Sequence, residues 1–247
     1  MQELKKFPKL FHGFSEVSEG NMSFRWGTQE EVIKNRTAFL QNSHISLESC
    51  VSVGVHHGVS VERVDATHRG QGMAYGNTRE MPEALVTNTP GVFLFLFTGD
   101  CLPIFCFDVR KNVAGLAHVS RHNVPKLLAQ RMVEKMQEWC GSSPSDILAG
   151  IGPGVRKESY HFPKERCAGF VPEWKRFIEA TTDGCAFDLP GWNAAQLAAA
   201  GVRKENIIIA PQDTVRDARF FSHVRSGRTG EKEGRFATVV GLRDIRP

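Results

Sequence analysis

The chain has 247 residues, 41% of them hydrophobic, which is enough to bury the core of one large domain. Its 31 basic and 27 acidic residues are spread along the chain and leave a formal net charge of +4, without the concentrated positive field of a nucleic-acid-binding protein. The longest apolar run, Val92 to Phe97, is too short to span a bilayer, and the amino terminus lacks a signal-peptide core. We therefore expect one cytoplasmic domain over residues 1–247, with no membrane or nucleic-acid partner.

Two further compositional features bear on function. The densest basic segment, residues 225–235, is diluted by two glutamates and has no interleaved aromatic residues, so we interpret it as a solvated loop. The six cysteines, at positions 50, 101, 106, 140, 167 and 185, form no CxxC pair. In a chain of this size, that spacing predicts reduced thiols rather than disulfides.

The first half of the chain predicts one helix followed by a group of strands. Thr28 and Glu31 have the spacing of a capping box before an apolar stripe, which predicts a helix from Gln29 to Leu40. Apolar runs then predict strands at Val51–Val55, Ser60–Val64, Val92–Phe97, Leu102–Phe107 and Val113–His118. The connections between these strands are too short for crossover helices.

The second half of the chain alternates helices with single strands. Helices are predicted at Pro125–Trp139, Lys164–Ala180 and Asn193–Ala200, and strands at Ile147–Gly150, Ile207–Ala210 and Phe236–Val240. Strands in short-connected groups with helices between them indicate an α+β protein with mixed β-sheets.

A hairpin of the fourth and fifth predicted strands brings two reactive side chains together. With its turn at residues 109–110, the hairpin places Cys101 opposite His118. Directly opposed side chains have Cβ atoms roughly 5 Å apart, so this thiolate and imidazole could share a metal ion or a proton. Gly99 permits a sharp turn just before Cys101, a feature that a cysteine buried only for packing rarely needs.

A third candidate ligand lies in the link between the first two predicted strands. His57 is followed by Gly58, so its ring can emerge at the end of the sheet, while the neighbouring His56 points the other way. Two imidazoles and one thiolate match an open zinc site that keeps a fourth position for water. We therefore predict a metal site at His57, Cys101 and His118.

Seven short segments of the chain occur together in a known family. They are Val55-His56-His57-Gly58, Ala84-Leu85-Val86-Thr87, Gly99-Asp100-Cys101-Leu102-Pro103, Ala117-His118, Ile151-Gly152-Pro153, Phe187-Asp188-Leu189 and Phe220-Phe221-Ser222-His223. In order and approximate spacing the chain resembles the laccase-domain family, also called YfiH-like or multicopper polyphenol oxidase. Asn35-Arg36 and Gly234-Arg235 extend the resemblance over essentially the whole chain.

This resemblance implies a fold and an activity. The implied fold is a sandwich-like core of mixed β-sheets with helices packed outside, similar to the cytotoxic necrotizing factor catalytic domain. The implied activity is phosphorolysis of adenosine, inosine, guanosine or methylthioadenosine, or deamination of adenosine. The implied partners are therefore a purine nucleoside and phosphate. The resemblance also implies zinc, because the family's zinc ligands match His57, Cys101 and His118.

Other candidate site residues follow from position and from departures from the family pattern. Asp100, beside Cys101, is a candidate acid/base that could equally be a turn-capping residue. His122 stands where the family has an arginine, and Arg121 and Arg225 lie one position from two missing arginines. The candidate catalytic residues are Cys101, Asp100 and His118, and the candidate substrate-binding residues are Arg36, Arg121, His122 and Arg225.

Three alternatives to a zinc-dependent nucleoside enzyme stay open. Cys101 could be the nucleophile and His118 the base of a metal-free hydrolase, the pairing of the structurally related toxin deamidases. A non-catalytic relative would keep the metal for stability alone. A multicopper laccase is least favoured, because its coppers need closely spaced HxH pairs and the nine histidines here are scattered, so we expect zinc rather than copper.

Overall fold

Two large β-sheets stack face to face, with a small third sheet beside them, in a computed structural model that describes residues 4, 6–74, 81–167 and 172–244. In chain order the strands are β1 (Leu10–Phe14), β2 (Cys50–Ser52), β3 (Val61–Arg63), β4 (Ala84–Thr87), β5 (Phe93–Thr98), β6 (Leu102–Asp108), β7 (Val113–Val119), β8 (Ile147–Ile151), β9 (His161–Pro163), β10 (Ile178–Thr181), β11 (Gly184–Phe187), β12 (Ile207–Ile209) and β13 (Phe236–Leu242). The first large sheet has the order β1-β13-β5-β2, the second β12-β8-β6-β7-β4-β3, and the small sheet β10-β11-β9.

Both large sheets mix parallel and antiparallel pairs, which confirms the predicted α+β class with mixed sheets. β2 runs parallel to β5, β3 to β4 and β12 to β8, and the other strand pairs between described residues are antiparallel. The strands on either side of His56-His57-Gly58 do not pair with each other. The first belongs to one large sheet and the second to the other, so the link between them crosses the edge of the sandwich.

Helices cover the outer faces of the sandwich. In the described residues they are α1 (Gln29–Gln41), α2 (Leu128–Cys140), α3 (Lys164–Cys167), α4 (Leu189–Ala199) and α5 (His223–Thr229). α1 packs on the first large sheet, and α2 and α4 pack on the second, so the expectation of helices outside a sheet sandwich is confirmed. No helix in the described ranges is both long and apolar enough to cross a membrane.

β5 shows how the sequence builds these layers. Leu94 and Leu96 point between the sheets and join Phe105 and Leu116 of the second sheet in one buried cluster, whereas Phe95 points the other way, toward α1. This alternation is the two-residue period of a strand that is buried on both faces. Each such side chain contributes roughly 1.5–3 kcal/mol when fully buried, so the central strands β5, β6 and β7 are firmly held.

The β6–β7 hairpin has a different register from the one predicted. Pro103, not Cys101, pairs with His118. The reason is Asp108. Its Oδ1 accepts hydrogen bonds of 2.9 Å from the backbone N–H groups of Arg110 and Lys111, which makes the turn longer than predicted. Because the register differs by two residues rather than one, Cys101 and His118 still lie on the same side of the hairpin.

The predicted helix at Lys164–Ala180 is wrong over most of its length. It is replaced by the short helix α3, a 3-10 segment at Pro172–Phe177 and the strand β10, and residues 168–171 lie outside the described part. β10 pairs with β11 from Ile178 to Thr181, so sheet pairing overrides the local helical pattern. β1, β4, β9, β11 and α5 also lie where no element is predicted from the sequence.

The prediction of six reduced cysteines is wrong as well. Cys167 of α3 and Cys185 of β11 form a disulfide, while Cys50, Cys101, Cys106 and Cys140 are free. The bonded cysteines are 18 residues apart in sequence and come together only because α3 packs against the small sheet. The spacing of the cysteines in the sequence does not reveal that packing.

Candidate metal centre and pocket

A pocket of about 790 Å³ opens where the central strands end. Its lining includes the end of β5, the turn into β6 and the segment that follows β7, and the small sheet, α3 and α5 form other sides. Sites for small molecules typically occupy ~300–1,000 Å³ and lie in clefts of this kind. The fold therefore offers one pocket, of suitable size, beside the predicted metal ligands.

His57, Cys101 and His118 meet at this pocket, and their potential ligand atoms all lie within 4.8 Å of one another. His118 lies on β7 opposite Pro103, and Cys101 projects to the same side of the hairpin from two residues earlier. His57 reaches the group from the link after β2 with a left-handed backbone, φ 64°. Non-glycine residues rarely adopt this conformation, and such strain concentrates at functional sites.

A buried glutamate, Glu83, orients His118. Its Oε2 accepts a hydrogen bond of 2.7 Å from Nδ1 of His118, and its Oε1 accepts one from the backbone N–H of His56. Gly54 lets the chain before His56 pass close to the chain before Glu83, because a Cβ there would lie 2.0 Å from the carbonyl oxygen of Met81. With Nδ1 engaged, His118 keeps Nε2 for a ligand, as in the carboxylate–histidine pairs that support metal sites.

Proximity changes the proton affinities within this group. Burial raises the pKa of the Cys101 thiol, but hydrogen bonding and charge interaction with His118, and then with His57, outweigh burial and lower it to about 6. Burial lowers the pKa of His118, whereas Cys101 and then Glu83 raise it to about 9. At neutral pH Cys101 is therefore a thiolate, the form that binds metals and attacks electrophiles. In the middle of β6, burial alone raises the pKa of Cys106 to about 12.

The donor set fits a transition-metal ion. Two imidazoles and one thiolate are ligands that suit zinc, and three protein ligands leave a coordination position open for substrate or water. Among the described residues, this is the one group in which three such ligand atoms converge. His122 stays outside the group, although its ring centre lies 4.9 Å from that of His57.

Asp100 lines the pocket but makes the contacts of a capping residue. Its Oδ1 accepts a hydrogen bond of 2.7 Å from the Thr214 hydroxyl, and its Oδ2 accepts one of 2.7 Å from the backbone N–H of Val224 in the first turn of α5. Its own backbone is left-handed, with φ 88°. Asp100 thus ties the turn that carries Cys101 to α5.

Arg121 and His122 line the pocket just after β7. The Arg121 guanidinium lies 5.7 Å from the centre of the Phe162 ring and is hydrogen-bonded to Tyr160. Partial burial, followed by the charges of Arg121 and more distant cations, lowers the pKa of His122, so its ring is neutral at pH 7. Both predicted residues are therefore available to a ligand in the pocket.

The pocket is rich in cations. Its lining includes five arginines: Arg25, Arg121, Arg166, Arg228 and Arg235. Asp100 is the sole acidic residue in the lining that the structure describes. The interpretation of residues 225–235 as a solvated loop is only partly right: residues 227–232 are exposed, but the first half of the segment belongs to α5, and Arg228 and Arg235 line the pocket.

Two other predicted substrate-binding arginines lie elsewhere. Arg36 is completely buried under the first large sheet, where its guanidinium donates to backbone carbonyl oxygens. Arg225 also donates to backbone carbonyl oxygens, and its Nε lies 2.6 Å from a carboxylate oxygen of Glu231. Neither side chain lines the pocket, so the structure does not bring Arg36 and Arg225 together with the other predicted substrate-binding residues.

Sequence reasoning missed several residues of the site. Glu83 directly precedes the buried strand β4, and an acidic residue at the start of an apolar run is a signal that could have identified it. Tyr160 and Arg228 carry no comparable local signal. They reach the pocket because the small sheet and α5 pack beside the ends of the central strands.

Two named proteins are similar to this chain over most of its length. The chain is 29% identical over 226 residues to "Purine nucleoside phosphorylase YlmD" of Bacillus subtilis, covering 87% of this chain and 78% of that protein. It is 30% identical over 227 residues to a protein named "Purine nucleoside phosphorylase" of Deinococcus radiodurans, covering 90% of this chain and 81% of that protein.

Solved structures share the fold. YlmD from Geobacillus stearothermophilus superposes with a TM-score of 0.87 at 28% identity, covering 96% of this chain and 93% of that one. The hypothetical protein YfiH of Bacillus licheniformis also superposes with a TM-score of 0.87, at 22% identity and over 97% and 95% of the two chains. The family described as "Multi-copper polyphenol oxidoreductase laccase" matches residues 11–243, which is nearly the whole chain. The chain therefore belongs to this laccase-like family.

Proposed function

We propose that the protein is a zinc-dependent purine nucleoside phosphorylase. In this reaction a phosphate oxygen bonds to the anomeric carbon of the sugar, the C–N bond to the base breaks, and the base leaves with the electron pair and is protonated. The observation that carries the proposal is the convergence of His57, Cys101 and His118 beside an arginine-rich pocket. The names of the two relatives from Bacillus subtilis and Deinococcus radiodurans support the same reaction.

The cations of the pocket support phosphate as the co-substrate. Arginine presents a planar fork of N–H donors that matches phosphate oxygens in pairs. Arg121 is engaged by an aromatic ring and Arg228 by a backbone carbonyl, so neither has its charge neutralised by a carboxylate in the described structure. Arg166 is exposed at the pocket. A dianion bound among these side chains would be strongly favoured over a neutral ligand.

The three metal-site residues share one task, and the residues around them have others. His57, Cys101 and His118 would hold the zinc, which when bound supplies a Lewis acid that polarises an oxygen of a substrate. Glu83 fixes His118 in the orientation that presents Nε2. The neutral ring of His122 can donate a hydrogen bond through its N–H to the departing base. Asp100, with both carboxylate oxygens engaged, positions the Cys101 turn and α5.

Activity assays combined with metal analysis test this proposal. Purified protein is expected to contain about one zinc ion per chain and to release hypoxanthine from inosine only when phosphate is present. Adenosine and methylthioadenosine extend the assay, and phosphate-independent conversion of adenosine to inosine would reveal deamination. If zinc-loaded protein turned over none of these nucleosides, the proposed function would be wrong.

A metal-free thiol hydrolase is a second candidate, favoured by the chain of contacts from Cys101 through His118 to Glu83. His118 hydrogen-bonds both the thiol and the carboxylate, as a nucleophile, a base and an orienting acid do in hydrolases. Iodoacetamide labelling distinguishes the candidates. Rapid labelling of Cys101 in protein purified without zinc supports the hydrolase, and protection of Cys101 by resident zinc supports the phosphorylase. Cys106, buried in the middle of β6, is the unlabelled control.

A further inference from the structure

Part of the pocket wall is aromatic. Phe24, Trp26 and Phe97 line the pocket with partly exposed rings. Phe97 lies on β5, and the other two lie on the segment that precedes α1. Phe162 also lines the pocket, but it is buried and its ring is covered by other side chains, so it offers no comparable surface.

Arg36 packs against this wall from inside the protein. Its guanidinium carbon lies 4.4 Å from the ring centre of Phe24, 5.2 Å from that of Phe97 and 5.0 Å from that of Phe95. The side chain is fully buried and has no carboxylate partner in the described structure; its donors are spent on the carbonyl oxygens of Met22, Gly72 and Met73. Burial of an unpaired charge is costly, so this arrangement calls for an explanation beyond packing.

The position of the guanidinium supplies that explanation. Phe24 and Phe97 line the pocket and Arg36 does not, so the guanidinium packs against these two rings from behind the pocket wall. Its hydrogen bonds to Met22 hold the segment that carries Phe24, and its ring contact holds the end of β5. Two rings from distant parts of the chain are thereby held by the same guanidinium.

We propose that Phe24 and Phe97 form the surface on which the purine base stacks and that Arg36 is the positioning residue that aligns them. The proposal rests on the proposed function, because it takes a nucleoside as the ligand. Bases stack on aromatic rings through their whole planar face, whereas phosphate and ribose have no such face to offer. The aromatic wall therefore takes the base, and the cations of the pocket take the phosphate.

Separate Michaelis constants for the two substrates test the stacking surface. Phe24→Leu and Phe97→Leu are each expected to raise KM for inosine about tenfold, the effect of one lost stack, and to leave KM for phosphate and the zinc content unchanged. Phe11→Leu is the matched control, because this ring packs on Phe93 of the same sheet and lies outside the pocket. Wild-type KM for inosine in both pocket variants would overturn the proposal.

Arg36→Lys tests the positioning role. Lysine keeps the charge but loses the planar fork, so the two rings lose their common support while the pocket keeps its arginines. KM for inosine is expected to rise several-fold, with kcat and KM for phosphate close to the wild-type values. An equal loss in kcat for all substrates, or an unchanged KM for inosine in a folded variant, would contradict this role.

Direct binding separates this inference from the proposed function. Quenching of tryptophan fluorescence by hypoxanthine reports base binding without any turnover. If the wild type turned over no nucleoside yet bound hypoxanthine, and Phe97→Leu weakened that binding, the phosphorylase proposal would fail and the stacking surface would stand. If the wild type turned over inosine and Phe97→Leu bound hypoxanthine as tightly as the wild type, the stacking surface alone would fail.

Discussion

The inner side of the pocket and its outer rim are built in different ways. Cys101 and His118 lie at the ends of the central strands, and Glu83 holds His118 from a fully buried position. Arg166, at the rim, is exposed on a four-residue helix that a disulfide joins to the small sheet. The inner geometry is thus set by the sandwich, whereas the rim depends on a few local links.

This difference bears on where the pocket can vary. His57, Cys101 and His118 carry the resemblance to the family, while Arg121 and His122, just beyond the end of β7, depart from it. A change at the inner side would leave a buried carboxylate or thiolate without its partner, whereas a change at the rim is absorbed by solvent. Residues at the rim can therefore change with little disturbance of His57, Cys101 and His118.

Loss of a metal ligand is expected to have the largest effect. Cys101→Ala removes the only thiolate of the group, so zinc should be lost and kcat/KM should fall roughly 10³-fold, since a Lewis acid contributes several kcal/mol to such a transition state. Zinc analysis and phosphorolysis assays measure both effects. Cys106→Ala, five residues further along the chain in the middle of β6 and away from the group, should keep zinc and activity. Retention of both by Cys101→Ala would show that the inner side is not a metal site.

The disulfide is expected to have the next largest effect, on stability rather than chemistry. The double variant Cys167→Ser/Cys185→Ser opens a cross-link across 18 residues, and loop-closure entropy predicts a loss of about 3 kcal/mol in the free energy of unfolding. Urea denaturation measures the loss, and dithiothreitol should lower the wild type to the same value without affecting the variant. Cys140→Ser, which alters a free cysteine, is the control. Equal stability of the variant and the wild type would contradict a structural disulfide.

Glu83→Gln is expected to have an intermediate effect, because it keeps the shape but removes the charge that supports His118. Loss of such a supporting carboxylate typically costs 10–100-fold in metal affinity or activity. Competition with a chelator measures zinc affinity, and Glu138→Gln on the exposed face of α2 is the control. Without the carboxylate the pKa of His118 also falls, so in metal-free protein this ring should lose its proton at lower pH than in the wild type. NMR titration of the ring measures this pKa. An unchanged pKa in Glu83→Gln would contradict the supporting role.

The contrast between the sandwich and the rim of the pocket also explains which features could be predicted from the sequence. The central strands and the helices α1 and α2 have clear apolar periods, and the metal group could be found because His57, Cys101 and His118 occur in short recognisable segments. The hairpin register was missed because the Asp108 side chain sets the turn. The small sheet was missed because strands of three or four residues gain stability only from pairing.

Arginines were the hardest residues to assign. All three of Arg36, Arg225 and Arg228 donate to backbone carbonyl oxygens, yet of these three only Arg228 lines the pocket. Sequence position does not reveal whether a guanidinium meets a carbonyl, a ring or a ligand. That choice is made by tertiary packing, which places α1 against the first large sheet and α5 beside the pocket.

Arg166→Gln is expected to have the smallest effect, because solvent and salt screen an exposed charge. KM for phosphate should rise roughly threefold at low salt, with KM for inosine unchanged, since an exposed ionic contact contributes less than about 1 kcal/mol. Lys164→Gln on the same helix is the control, because Lys164 is exposed but does not line the pocket. The effect should shrink as ionic strength increases, which a purely structural role would not predict. If KM for phosphate rose equally in both variants, the rim would act through overall charge, and the assignment of Arg166 to phosphate would be wrong.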